Sequence, residues 1–303
     1  MRSSATDVTK TRDCWAEWLA ERRFGGEPGL RERWVATLLE KRDRVLDGAQ
    51  VADGDALLDV GCGEGLIGFG ALDRGAGTVT FSDISQDLFD FCEEAARDLG
   101  VSDHCHFVRA SADDLAGLES ASVDAVTTRA VLIYVRDKAS AFGEFARVLR
   151  AGGRISLLEP INRFANTDAD TWAGYDLGAI PEISRKIRAV YDAIQPRATD
   201  PMLDFDERDL IELAERAGFF PVRLKLEAEI VPVEPRSWSG FLDQAGNPRI
   251  PTIAEALAKA LTREERDRFE AHMRPLVEKG RGTWRNFTSR PDLSLLSLTL
   301  IKT

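Results

Sequence analysis

Histidine, cysteine and tyrosine are scarce in this chain, and no stretch is dominated by positive charge. The four cysteines, Cys14, Cys62, Cys92 and Cys105, show neither CxxC spacing nor a pairing framework. That pattern excludes a disulfide scaffold and a thiolate metal site, and leaves reduced thiols as the expected state. No run approaches the ~20 apolar residues of a membrane span, and Met1 to Lys10 lacks an apolar signal core. A cytoplasmic protein is therefore expected. Net charge is −11, with Arg and Lys interleaved among Asp and Glu, so the surface as a whole repels nucleic acid. No internal repeat or low-complexity segment is visible. What is present is apolar residue at 44% of 303, enough to bury the core of one large α/β domain with insertions, or of a core domain plus a smaller one.

Periodicity organises the first half. Val8 to Arg23 and Leu30 to Leu46 read as helices, with Trp15, Trp18 and Leu19 on one side of the first. Ala56, Leu57, Leu58 and Val60 then make a short buried strand. Strands and helices alternate from there: strands at Thr78 to Phe81, His106 to Val108, Val123 to Thr127 and Arg154 to Glu159, and helices from Ser85 and Lys138. Such alternation predicts a parallel sheet covered by helices on both faces, with ligands bound beyond the carboxyl ends of its strands. After Pro160 the rhythm changes. Helical segments at about 161–205 and 232–290 interrupt a helix from Asp206, a β-rich run at Pro221 to Val231 and a final strand at Leu293 to Ile301. Thr252…Glu255 and Thr262…Glu265 are capping-box patterns.

The first strand ends in Asp59-Val60-Gly61-Cys62-Gly63-Glu64-Gly65, followed by an apolar helix. A strand, a glycine turn and a helix bring backbone N–H groups close to a ligand. A dinucleotide fingerprint needs G-x-G-x-x-G; here the third position holds Leu66. No Lys-Ser or Lys-Thr follows, so the loop is not a phosphate-cradling P-loop, and Glu64 inside it opposes a pyrophosphate. A cationic or zwitterionic ligand fits better.

These residues resemble motif I of the class I S-adenosylmethionine (SAM)-dependent methyltransferases. The resemblance continues through Ser82-Asp83-Ile84-Ser85, Ser111-Ala112-Asp113-Asp114-Leu115, Val123-Asp124-Ala125-Val126 and Leu149-Arg150-Ala151-Gly152-Gly153-Arg154, with Ala151 where proline is common. It implies a Rossmann-like fold: a mostly parallel seven-stranded sheet with helices on both faces, N-terminal helices, and helical inserts in the C-terminal half. The implied organisation is an N-terminal cap at 1–50, a SAM-binding core at 51–160, inserts at 161–205 and 232–290 over the acceptor, and completion of the sheet by 206–231 and 291–303. It implies SAM as cofactor, with Asp83 on the ribose hydroxyls, Gly61, Cys62 and Gly63 on the methionine portion, Ile84, Ala112 and Asp113 around adenine, Arg129 beside the methionine arm, and Asp59 bracing the loop.

The expected activity is methyl transfer to an O or N atom of a small molecule or peptide. Aligning the reactants and excluding water are the main requirements of such a step. No histidine stands where a base is needed, so Tyr134 and Glu159 are the candidate acid/base groups. Trp18, Tyr134, Arg163, Trp172 and Tyr175 are the candidate acceptor contacts. Trp15, Trp18 and Arg22 form either a lid over SAM or an amphipathic helix packed on the sheet. No metal, membrane or nucleic-acid partner is expected, and a homodimer is compatible with the chain. Two other readings stay open: a nicotinamide-dependent oxidoreductase, which Leu66 disfavours, and a non-catalytic SAM-binding protein, which the intact glycines and Asp83 disfavour.

Overall fold

The computed structural model describes residues 12–165 and 171–290. Asp13 acts as a helix cap: its carboxylate accepts the N–H groups of Trp15 and Ala16, each at 3.0 Å, and α1 (Cys14–Glu17) follows. The chain then widens into a π-helical turn, Trp18–Arg22, closed by the Arg23 N–H donating to the Trp18 carbonyl at 2.8 Å. The expected first helix is thus shorter and irregular, and its first turn, from Val8, lies outside the described residues. Turns of this width cluster at functional sites. α2 (Pro28–Ala49) begins with proline, which has no N–H to lose at a helix start.

β1 (Ala56–Val60), α3 (Leu66–Asp73), β2 (Thr78–Asp83), α4 (Gln86–Asp98), β3 (Cys105–Arg109), β4 (Val123–Arg129), α5 (Lys138–Val148) and β5 (Leu149–Leu158) follow in sequence. The strands pair in parallel in the order β3-β2-β1-β4-β5. β2 runs two residues further than expected, so that Asp83 is its last residue. One face of the sheet packs on Val45, Leu46 and Ala49 of α2 together with α3 and α4. The other packs on Phe142, Phe145 and Val148 of α5. Each such side chain, fully buried, contributes about 1.5–3 kcal/mol, which is why both faces are covered. The chain order reverses between β1 and β4. In an open parallel sheet that switch point is where ligands bind.

Beyond β5 come α6 (Asn162–Ala165), a hairpin of β6 (Thr171–Trp172) and β7 (Tyr175–Asp176), α7 (Pro181–Ile194), α8 (Glu207–Arg216), β8 (Lys225–Pro232), α9 (Trp238–Leu242), α10 (Ile253–Ala260), α11 (Arg263–Glu278) and β9 (Thr283–Arg290). Both threonine capping boxes form and open α10 and α11. α7, α9, α10 and α11 bury a core of their own around Ile183, Phe241, Leu257 and Phe269.

The sheet has five strands among the described residues, where seven are expected. β8 pairs instead with β9 in an antiparallel two-stranded ribbon, Lys225 opposite Arg290 and Pro232 opposite Thr283. β9 therefore replaces the end of the helical stretch expected up to residue 290. It lies against β5 without joining it by a ladder. Alternating apolar residues specify a strand but not its partner, and β8 is half open to solvent, with Ile230 62% exposed. The expected strand at Leu293 to Ile301 lies outside the described residues.

Candidate active site

A cavity of about 590 Å³ opens over the carboxyl ends of β1, β2 and β4, at the switch point and within the ~300–1,000 Å³ usual for small-molecule sites. Its floor is the glycine loop. Gly61 takes φ +64° and Gly63 φ +55°, a region that costs other residues about 1–2 kcal/mol. A Cβ on Gly61 would stand 2.3 Å from Val131 Cγ2, whereas one on Gly63 would meet nothing nearer than Leu19 Cδ1 at 3.8 Å. The first glycine thus makes room for the β4 turn, and the second is demanded by its left-handed backbone alone.

Two carboxylates hold this loop. Asp59 lies behind it, does not line the cavity, and accepts the Gly68 N–H at 3.0 Å and the Thr127 hydroxyl at 3.1 Å. Burial raises its pKa to about 7. Asp83 faces the cavity and accepts the Gly63 N–H at 2.9 Å on one oxygen and the Ser85 N–H at 3.0 Å on the other. Burial raises its pKa also. A carboxylate has about four acceptor positions, so two remain for a ligand diol. Ile84, Ala112 and Asp113 line the cavity on the same side, and the Ser111 hydroxyl donates to Asp113. Cys62 lines it too. Its thiol pKa is raised by a hydrogen bond with Cys92 and by burial, which suits a packing residue and not a nucleophile.

Arg129 ends β4 and its half-buried side chain lines the cavity, where desolvation lowers its pKa. Beyond it lies a second, aromatic half. The Tyr134 ring meets Trp15 edge-on with centroids 4.9 Å apart, and the Arg249 guanidinium covers both rings at 6.0 and 5.7 Å. Trp18 lines the cavity and donates its indole N–H to the Ala245 carbonyl at 2.8 Å. Arg23, Phe24 and Leu38 complete this half. The N-terminal segment is pinned at both ends: Ser85 Oγ donates to Asp13 at 2.6 Å, and Arg22 pairs with Glu255 at 2.7 Å. Arg22 itself stays outside the lining.

Four expected site residues are placed elsewhere. Glu159 is fully buried beneath the β4 turn and accepts the N–H groups of Val131 at 3.0 Å and Ile133 at 3.4 Å. Burial raises its pKa to about 7, yet it does not reach the cavity; it shapes the backbone that carries Tyr134. Arg163 is exposed and pairs with Asp206 at 3.6 Å. Trp172 and Tyr175 pack on Phe241, at 6.1 and 5.8 Å, inside the core of the C-terminal helices. Aromatics there were read as pocket walls because composition does not distinguish a wall from a core. The histidines stay away from the cavity: His104 contacts the Gly77 carbonyl and His272 the Asp176 carbonyl. Among the described residues no three side chains converge as a metal site. Sequence reasoning missed Arg23, Phe24, Leu38 and Arg249, which no motif marks.

Comparison with known proteins agrees with this geometry. Residues 58–157 match the family model described as a methyltransferase domain. The ubiquinone/menaquinone biosynthesis C-methyltransferase UbiE of Vibrio cholerae is 27% identical over 177 residues, covering 58% of this chain and 68% of that protein. The tRNA 5-carboxymethoxyuridine methyltransferase of Escherichia coli K12 is 36% identical over 145 residues; the match covers 47% of this chain and about half, 53%, of that relative. A crystal structure from Bacillus halodurans C-125, itself described as a methyltransferase, has a TM-score of 0.52 at 17% identity, over 83% of this chain and 99% of that one; it shares the fold. This chain matches a methyltransferase domain over residues 58–157, about a third of its length, which supports the class I SAM-dependent methyltransferase reading. It is an enzyme, and SAM is its cofactor.

Proposed function

We propose that this chain methylates an O or N atom of a small molecule held beneath the N-terminal segment. The observation that carries the reading is one continuous cavity, with Asp83 and the glycine loop at one end and Trp15, Trp18 and Tyr134 at the other. When bound, SAM supplies an activated methyl on a sulfonium, which an acceptor atom takes by in-line displacement. Asp83 is suited to the ribose hydroxyls, Ala112 and Asp113 to adenine, and Arg129 to the amino-acid carboxylate, since a guanidinium binds such a group bidentately. The donor set fits the cofactor: a carboxylate with two acceptor positions left, backbone open at Gly61 and Gly63, and a half-buried cation.

Alignment and exclusion of water are what the aromatic half provides. Burial pushes the Tyr134 phenol up to about 12, so near neutral pH it is a hydrogen-bond donor and a packing surface, not a base. The proposed acceptor therefore needs no proton removed by the enzyme, or loses it to water.

The test uses SAM labelled in its methyl group, incubated with the enzyme and separate small-molecule, peptide and tRNA fractions. Label is expected in the small-molecule fraction on an O or N atom. With the labelled acceptor in hand, Tyr134→Phe is expected to keep kcat within ten-fold. Label in the peptide or tRNA fraction alone contradicts the small-molecule reading. A loss beyond 100-fold for Tyr134→Phe restores the phenol as an acid/base group.

A further inference from the structure

Arg23, Arg129 and Arg249 differ from many arginines of this chain. Many guanidiniums elsewhere meet carboxylates: Arg22 meets Glu255 at 2.7 Å, Arg74 meets Asp47 at 2.5 Å, and Arg147 meets Glu144 at 2.7 Å. The four arginines that line the cavity, Arg23, Arg129, Arg136 and Arg249, have no carboxylate within ion-pair distance and no side-chain hydrogen bond among the described residues. Two of them have aromatic faces instead. Arg23 lies over Trp18 and Phe24 at 5.2 and 5.3 Å, and Arg249 over Trp15 and Tyr134. The repulsion is real: burial, and then Arg129, lowers the Arg23 pKa to about 10, with Tyr134 and Glu64 acting the other way. A chain of net charge −11 thus gathers cations in one cavity without pairing them. Arg23 and Arg129 are partly withdrawn from solvent and Arg249 is exposed at the mouth; a partly desolvated, unpaired cation costs stability unless a ligand supplies the counter-charge.

The cofactor accounts for one of them. It carries a single carboxylate, and Arg129, at the end of β4 beside the glycine loop, is placed for it. Arg23, Arg136 and Arg249 remain over, and of these Arg23 and Arg249 lie on the rings of the aromatic half. We infer that the acceptor carries an oxyanion, a carboxylate or a phosphate, on an apolar planar body: Arg23 and Arg249 bind the oxyanion, and Trp15, Trp18 and Tyr134 hold the body. Guanidinium matches both oxyanions in geometry, and its stacking on the rings fixes the planar fork in advance. The inference rests on the proposed division of the cavity between cofactor and acceptor.

The test is a calorimetric titration of the whole chain, first with S-adenosylhomocysteine and then, once saturated, with 1-naphthoate, 1-naphthyl phosphate and neutral 1-naphthamide. At least one oxyanion is expected to bind ten-fold or more tightly than the amide, with an affinity that falls as salt rises. The carboxylate and phosphate arms show which oxyanion is preferred, and either preference supports the inference. The Arg23→Gln/Arg249→Gln double variant is expected to bind S-adenosylhomocysteine as before and to lose the difference between acid and amide. Neither side chain makes a hydrogen bond or ion pair among the described residues, so the fold is expected to persist, as a thermal melt checks. Equal binding of acid and amide, no binding of either, or an unchanged preference in the double variant overturns the inference. Failure of the first titration, with S-adenosylhomocysteine, contradicts the cofactor site instead.

Discussion

Asp83→Ala is expected to weaken SAM binding roughly 100-fold or more while the protein stays folded. The magnitude follows from the two acceptor positions that the carboxylate keeps free toward the cavity. Hydrogen bonds to a charged group are worth about 1.5–3 kcal/mol each, and two of them to a ribose diol exceed two decades of affinity. A second effect adds to this. Asp83 accepts the Gly63 N–H at 2.9 Å and the Ser85 N–H at 3.0 Å, so its removal also frees the glycine loop from the start of α4. Asp83→Asn separates the two. The amide oxygen still accepts one backbone N–H, so the loop keeps part of its support while the charge is lost. Calorimetry on the three proteins is expected to give the order wild type, Asn, Ala in affinity. Equal dissociation constants for wild type and Asp83→Ala remove Asp83 from the cofactor site.

Gly61→Ala is expected to lower stability by about 2–5 kcal/mol and to abolish measurable SAM binding. Left-handed backbone costs an alanine about 1–2 kcal/mol, and Gly61 sits at φ +64°. The new methyl adds a clash, 2.3 Å from Val131 Cγ2, and overpacking of this kind costs about 1–3 kcal/mol. Val131 has little room to retreat, because its own N–H is held by the buried Glu159 carboxylate at 3.0 Å. Removing the valine methyls in the Gly61→Ala/Val131→Ala variant is expected to recover the packing share and leave the backbone share, a coupling that a double-mutant cycle in denaturant reads directly. Wild-type stability and affinity in Gly61→Ala alone contradict the account of why a glycine stands here. Gly63→Ala provides a contrast: the φ is equally left-handed, but 3.8 Å of space to Leu19 leaves only the strain.

The side of the cavity built on the glycine loop was legible in the sequence, and the aromatic side mostly was not. Gly61, Gly63, Asp83, Ala112, Asp113 and Arg129 each follow a strand whose period is local, so knowing that the strands are parallel places their carboxyl ends together. The N-terminal segment was legible as apolar and aromatic, but not as lid or packing helix. What decides between these is a set of contacts remote in sequence, such as the Trp18 indole donating to Ala245 at a separation of 227 residues. Arg249 is invisible for the same reason: nothing beside it in the chain announces that it covers Trp15 and Tyr134. Trp172 and Tyr175 show the converse error. An aromatic with a polar neighbour looks alike in a pocket and in a core, and the core around Phe241 is assembled from residues as far apart in sequence as Tyr175 and Val277. Glu159 stands directly after a strand, as a catalytic carboxylate would. Its oxygens are taken by the turn that follows β4.

The most direct test of the account is a crystal structure of the full chain with S-adenosylhomocysteine. The predicted result places the ribose hydroxyls on Asp83, the adenine against Ala112 and Asp113, and the sulfur facing the chamber walled by Trp15, Trp18 and Tyr134. S-adenosylhomocysteine bound away from Asp83, or with its sulfur turned from those rings, contradicts the division of the cavity on which the proposed function stands.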